Sequence, residues 1–85
     1  MRITFPHSHA FPGGPLTIAE IGAAKETCVV EFGDGVAVIA ECRPDGGAVY
    51  LTLPAYRTGR GMDVAARTWR LERDREGVWR SQRSP

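Results

Sequence analysis

The sequence has little cysteine, almost no lysine and no long apolar run. Its two cysteines are too few for a disulfide scaffold. The longest strictly apolar stretch covers residues 36–40, far short of the roughly 20 residues that a membrane-spanning helix needs. Residues 1–6 lack the apolar core of a signal peptide. We therefore expect a cytoplasmic protein without a membrane segment.

Motifs that carry catalysis or bind cofactors are also missing. The sequence contains no Gly-x-Ser-x-Gly, no P-loop and no Gly-x-Gly-x-x-Gly that opens a helix. Ser8 lies between His7 and His9, but neighbours in a loop are not oriented by a scaffold, and no third group is evident. We therefore expect no enzymatic activity, no catalytic residues and no cofactor.

Zinc-binding side chains are present, but their spacing does not predict a zinc site. Neither the pair His7 and His9 nor the pair Cys28 and Cys42 matches a common zinc-ligand interval. Both cysteines fall on the apolar face of a predicted hairpin, where a free cysteine behaves as a small hydrophobic residue. The same hairpin makes the cysteines diagonal neighbours rather than direct partners. We expect neither a bound metal nor a disulfide.

The composition that remains is that of one small globular domain. The 85 residues are 42% hydrophobic and 25% charged, which fits a single domain over residues 1–85 with a small core. Prolines and glycines interrupt residues 6–15, so this segment is predicted to be a loop. Residues 81–85 are predicted to be a frayed tail.

A short helix is predicted near the N-terminus, over about residues 18–26. Thr17 and Glu20 have the spacing of a capping box, and several good helix formers follow them. The alternative is a strand, because Thr17, Ala19 and Ile21 occupy every second position, and side chains two residues apart share one face of a strand.

The central part of the chain alternates at the period of a β-strand and predicts a hairpin. With Gly35 in the left-handed position of a three-residue loop, Phe32 pairs with Val36. One face of this hairpin then becomes entirely apolar, whereas a shift of one residue would mix the two faces. The clean division between faces favours this register.

Two further hairpins follow. The first is predicted to turn over the four residues 44–47, which places the apolar residues of the next strand on the core face. The second turns over residues 74–77 and pairs Asp74 with Val78, as a type I turn with a glycine bulge requires. The latter pairing puts three large side chains on one face: Trp69, Leu71 and Trp79.

These elements predict an α+β fold. One short helix accompanies a five- to six-stranded antiparallel sheet, arranged as a meander that the helix covers or that curls into a partly closed barrel. The predicted core consists of Ile21, Cys28, Val30, Phe32, Val36, Val38, Ala40, Leu51, Leu53, Trp69 and Leu71.

Charge is distributed unevenly along the chain. Eight of the ten arginines lie in the last thirty residues, and the single lysine lies before them. Such asymmetry indicates a polyanionic partner. In residues 56–61, arginines stand beside glycines whose backbone N–H groups can approach a phosphate. The candidate anion- or nucleic-acid-binding residues are Tyr56, Arg57, Arg60, Arg67, Arg70 and Arg73, extended along the same half of the chain by Arg80 and Arg83.

Two functions remain open from the sequence. The first is a non-enzymatic accessory domain that binds an unidentified protein partner. The alternative is binding of single-stranded nucleic acid or phosphate through the arginine-rich C-terminal half. The tryptophans do not decide between them, because Trp69 and Trp79 beside arginines suit either a nucleic-acid-binding surface or the rim of a small core.

Overall fold

The computed structural model describes residues 1–84 and contains nine β-strands. They are β1 (Arg2–Phe5), β2 (Pro15–Ala19), β3 (Glu26–Phe32), β4 (Ala37–Asp45), β5 (Ala48–Leu53), β6 (Tyr56–Arg57), β7 (Asp63–Val64), β8 (Arg67–Arg73) and β9 (Trp79–Arg83). Seven of them close into a barrel in the order β1-β2-β9-β8-β5-β4-β3, while β6 and β7 form a separate two-stranded ribbon. The predicted α+β class with a partly closed sheet is therefore wrong.

The predicted helix over residues 18–26 does not form. Its first residues belong to β2, where Ile18 pairs with Ile3 and Thr17 pairs with Thr4. Glu20 then takes a φ of 58°, which ends the strand. Pairing with β1 overrides the local helix propensity of this segment. Within residues 1–84 we find no helical segment with the length and hydrophobicity required to traverse a membrane.

Strand β1 closes the barrel by pairing on both of its edges. It runs antiparallel to β2 and parallel to β3, with Ile3 opposite Val30 and Phe5 opposite Phe32. The side chains of Ile3 and Phe5 point inward and are fully buried. The parallel pair explains why an antiparallel meander alone does not describe this sheet.

The first and last predicted hairpins are confirmed in register. In the first, Val30 pairs with Val38, and the Phe32 N–H donates to the Val36 carbonyl at 2.9 Å. In the last, the Asp74 N–H donates to the Val78 carbonyl at 2.8 Å. Gly35 and Gly77 hold the positive φ angles that these two turns require, 88° and 81°.

The middle hairpin differs from the prediction by two residues. Asp45 pairs with Ala48, so the loop consists of Gly46 and Gly47 alone, both with positive φ. Two-residue loops of this kind match the natural twist of paired strands. Because the shift is an even number of residues, the inward-facing side chains of β5 are the predicted ones, among them Leu51 and Leu53.

The barrel interior holds most of the predicted core. Eight of the predicted residues are buried: Cys28, Val30, Phe32, Ala40, Leu51, Leu53, Trp69 and Leu71. Val36, Val38 and Trp79 are partly buried against this core. Ile21 is not a core residue, because it follows the end of β2 and is 45% exposed. Strand pairing that the sequence did not predict brings in Ile3, Phe5 and Leu16. Val49 is buried on the core face of β5, where the predicted hairpin placed it.

The last strand extends to Arg83, into the segment predicted to be a tail. Ser81 is completely buried, and its hydroxyl donates to the Phe11 carbonyl at 2.7 Å. The Ser81 N–H donates to the Gly14 carbonyl, and the Gly13 N–H donates to the Ser81 carbonyl. These bonds attach the loop before β2 to β9 and lengthen a seam where only two residue pairs join β2 to β9. Pro85 lies outside the described residues.

The two cysteines form a disulfide, contrary to the prediction. Cys28 lies on β3 and Cys42 on β4, with the Cα atoms 6.2 Å apart. This separation lies within the range that disulfides bridge. The diagonal placement was predicted correctly, but the conclusion that it is too long for a bridge was wrong, because the twist of a strongly curved sheet brings one pair of diagonal neighbours together.

Loss of this disulfide is expected to destabilise the barrel. The two cysteines are 14 residues apart, and a crosslink that closes a loop of this size contributes about 3 kcal/mol, or more than about 10 °C in Tm for a domain of this length. Thermal melts of the wild type with and without reductant, and of the Cys28→Ala/Cys42→Ala double variant, measure the effect. Free thiols in the unfolded, unreduced protein would contradict the bond.

Candidate functional site

A cleft of about 310 Å³ opens at one end of the barrel. On one side it is bounded by residues 9–12, and on the other by residues 62–65 of the β6–β7 ribbon. The barrel contributes its floor through Leu53 and Trp69. The side chains of the cleft that carry polar or charged groups are His9, Tyr56, Asp63, Arg67 and Arg83.

Two arginines from neighbouring strands stand at this cleft. Arg83 on β9 lies directly opposite Trp69 on β8, and Arg67 lies two residues before Trp69 on the same strand face. Diagonal neighbours of this kind are about 7–8 Å apart at the backbone, within reach of one shared ligand. Both are exposed, and within residues 1–84 neither forms an ion pair with a carboxylate.

A stack of three aromatic rings runs from the core to the cleft. The rings of Phe5 and Phe32 lie 5.4 Å apart and nearly parallel. The ring of Tyr56 continues the stack 4.9 Å beyond Phe32, with an interplanar angle of 15°. Phe5 and Phe32 are buried and Tyr56 is half-buried. The outermost ring of the stack is therefore the one that lines the cleft.

The Tyr56 ring is fixed at both ends of its side chain. Its backbone pairs with Val64 in the ribbon, and its hydroxyl accepts a hydrogen bond from the Ala10 N–H at 3.4 Å. Burial raises the pKa of Tyr56, and the charge of Asp34 acts in the same direction. The phenol stays neutral at physiological pH, so it adds no negative charge to the cleft.

The turn over residues 33–35 is hydrogen-bonded to the segments that lead into both walls of the cleft. The Gly33 N–H donates to the His7 carbonyl at 2.7 Å. The Asp34 carboxylate accepts from the Gly59 N–H at 2.7 Å and from the Val36 N–H at 3.1 Å. A Cβ atom at position 33 would lie 2.1 Å from the Pro6 carbonyl oxygen, so only glycine allows this approach.

The predicted phosphate-binding loop, residues 56–61, is already bound by two carboxylates from outside it. Arg57 donates to Asp63 at 3.0 Å, and the Gly59 N–H is taken by Asp34. Arg60 is exposed and forms no ion pair within residues 1–84. A phosphate at this loop would have to displace Asp34 and compete with Asp63 for Arg57.

The other predicted residues lie in different places. Arg70 is on the outer face of the barrel, where it pairs with Glu72 and donates to the Tyr50 hydroxyl at 2.7 Å. Arg73 is at the far end of β8, with its guanidinium 4.9 Å from the ring of Trp79. Of the six candidate residues, only Tyr56 and Arg67 are brought together in the cleft.

Several residues of the cleft were not among the six predicted ones. Arg83 appeared in the sequence only as one member of a long arginine series. His9 was considered only as a metal or catalytic candidate, and Phe11, in the same Pro/Gly loop, was not considered at all. Their arrival at the cleft depends on hydrogen bonds between that loop and β9, which join residues about seventy positions apart.

Side chains that could ligate a metal do not cluster in the described part of the chain. Among residues 1–84, no three histidine, cysteine, aspartate or glutamate side chains come together in a way that would hold a metal ion. Cys28 and Cys42 are joined to each other.

Comparison of the chain with models of protein families, with curated proteins and with solved structures found no match.

Asp34 is expected to titrate at unusually low pH. The hydrogen bond from Gly59 is the largest cause that lowers its pKa, followed by that from Val36. Because the pKa is lower in the folded state, the stabilisation is present above the unfolded pKa and is lost as pH falls through the folded one. The NMR shift of the Gly59 amide proton should therefore change with a midpoint below the ordinary aspartate value.

The Asp34→Asn variant is the matched control for this titration. It should remove the pH-dependent change of the Gly59 amide. A midpoint in the wild type at or above the ordinary aspartate value would show that the carboxylate does not hold the turn of the ribbon.

Proposed function

We propose that this protein is a non-enzymatic binding domain that takes an anionic ligand, a phosphate or single-stranded nucleic acid, at the cleft of the barrel end. One observation carries the proposal. Arg67 and Arg83, from adjacent strands, face the same cleft without a carboxylate partner within residues 1–84. Guanidinium groups bind phosphate through paired, charge-assisted hydrogen bonds.

Three arginines elsewhere in the C-terminal half differ from these two because they pair with carboxylates. Arg57 pairs with Asp63, Arg70 with Glu72 and Arg80 with Asp74. An arginine that already holds a carboxylate must give it up to bind a phosphate. Within residues 1–84 the two arginines of the cleft have no such partner to lose, whereas Arg57 of the predicted 56–61 loop does.

The surroundings of the two arginines also suit an anion. Asp63 lines the cleft, but its carboxylate is held by Arg57. His9 lies in the opposite wall and offers a ring nitrogen as a hydrogen-bonding group. The floor of the cleft is apolar, formed by Leu53 and Trp69, and a charge-assisted hydrogen bond is stronger beside an apolar surface than in open water.

A second candidate is binding of a protein partner through an apolar row on the outer face of the barrel. Val29 pairs with Ile39 across β3 and β4. Pro54 and Ala66 continue the row in a shallow depression beside Ile39. The side chain of Ile39 is 61% exposed, more than the two other exposed large hydrophobic residues. Exposed apolar groups in a row are typical of protein contacts.

The anion-binding proposal predicts a salt-dependent affinity that two residues control. Two phosphate contacts give a slope of log affinity against log salt of about −1.4 for single strands. Titration with random single-stranded DNA and RNA at two salt concentrations measures it. The Arg67→Gln/Arg83→Gln variant should bind roughly tenfold more weakly or worse, because it loses charge-assisted hydrogen bonds.

Arg60→Gln is the control variant for this titration, because Arg60 lies in the 56–61 loop and holds no carboxylate within residues 1–84. It should bind as the wild type does, and both variants should keep the wild-type Tm because the three arginines are exposed. Loss of binding in this variant alone would move the site to the 56–61 loop. Absence of binding by the wild type at low salt would reject anion binding.

If the protein partner is a second copy of this chain, its self-association should depend on Ile39. Sedimentation of the wild type should then show a mass that rises with concentration, and Ile39→Glu should abolish the rise. Ile21→Glu is the control, because Ile21 is also exposed but lies away from the row. A monomer at all concentrations would argue against a second copy as the partner.

A further inference from the structure

We propose that the ligand of the cleft is a small molecule that joins one planar aromatic ring to one phosphate, as a mononucleotide does. This inference rests on the proposed anion-binding function and names the class of ligand. The structural basis is that an aromatic stack meets, at the same cleft, two arginines that have no carboxylate partner within residues 1–84.

The aromatic half of the ligand is inferred from the stack of three rings. Its spacings are 5.4 and 4.9 Å, and each ring is within 18° of parallel to the next. Tyr56 is the last member, so a planar ring that lies against it extends the series. Stacking of a base on an aromatic side chain tolerates any base because every base has a π-face.

The stacking surface is already in place before a ligand arrives. Phe32 covers one face of the Tyr56 ring, the Ala10 N–H holds its hydroxyl, and Val64 pairs with its backbone. The ring loses little further freedom when a ligand binds, and a preorganised surface binds more tightly than a mobile one.

The phosphate half is inferred from Arg67 and Arg83. Both line the cleft together with Tyr56. A ring that stacks on Tyr56 therefore places an attached phosphate within the same small volume as the two guanidinium groups. Each arginine alone presents a fork of donors, and two forks are enough to surround one phosphate.

Size and charge favour a single nucleotide unit over a long strand. The cleft volume of about 310 Å³ is at the small end of ligand pockets, which hold roughly 300–1,000 Å³. The Asp34 carboxylate accepts from the Gly59 N–H, three residues after Tyr56, and its charge adds to the raised pKa of Tyr56. A strand that continued past the cleft on that side would bring a second phosphate towards this carboxylate.

Calorimetric titration of the full chain tests the inference with four probes: adenosine monophosphate, adenosine, inorganic phosphate and a short oligoadenylate. Adenosine monophosphate should bind at least about tenfold more tightly than adenosine or phosphate, because stacking and charge each contribute. The oligoadenylate should bind no more tightly than the monophosphate once affinity is expressed per site.

Substitutions at Tyr56 assign the stacking partner. Tyr56→Leu should weaken binding of adenosine monophosphate about tenfold and leave binding of inorganic phosphate unchanged. Tyr56→Phe keeps the ring and should bind the nucleotide as the wild type does. If Tyr56→Leu unfolds, the comparison of the four probes on the wild type and on Tyr56→Phe decides the question.

The outcomes separate the two proposals. Equal affinity for phosphate and adenosine monophosphate would overturn the inference and leave anion binding intact. Affinity that rises with oligoadenylate length would also overturn it, in favour of a strand. If none of the four probes binds, anion binding at the cleft is rejected together with the inference.

Discussion

The fold depends on one four-residue strand that has partners on both edges. β1 pairs with β2 on one side and with β3 on the other. Within residues 1–84, no other strand lies between β2 and β3, so the barrel closes only through β1. Because a chain this short buries only a modest fraction of its surface, it cannot leave one face of a sheet uncovered. Closing the sheet on itself supplies the cover that a helix would otherwise give, and Ile3 and Phe5 carry that closure into the core.

The parts of the fold that the sequence predicted are those in which partners are close in the chain. The registers at Phe32 and at Asp74 follow from turns of a few residues and from alternating apolar positions. The segment after Thr17 was predicted wrongly because its local signals favour a helix, whereas its partner strand lies more than ten residues away. The three predicted hairpins do not by themselves reveal a barrel, since closure is a property of the whole sheet.

The candidate site shows the same division between local and distant contacts. Tyr56 and Arg67 were recognisable as residue types that bind anions, but nothing in the sequence pairs Tyr56 with Phe32 or brings Arg83 beside Arg67. The glycines of the 56–61 loop indicated a phosphate site, whereas the fold uses the Gly59 N–H to hold Asp34. A backbone donor that looks available in a sequence is often claimed by a distant acceptor.

The closed order of the seven strands also limits how another molecule is able to join this one. Every strand of the barrel has a neighbour on each side, which leaves a peptide few unpaired backbone N–H and C=O groups along which to add itself as another strand. Within residues 1–84, unpaired edges remain on the two-residue strands of the ribbon and on the part of β2 beyond its two pairs with β9. Under the proposed function, binding therefore falls mainly to side chains, and a change of specificity requires little change in the backbone that carries them.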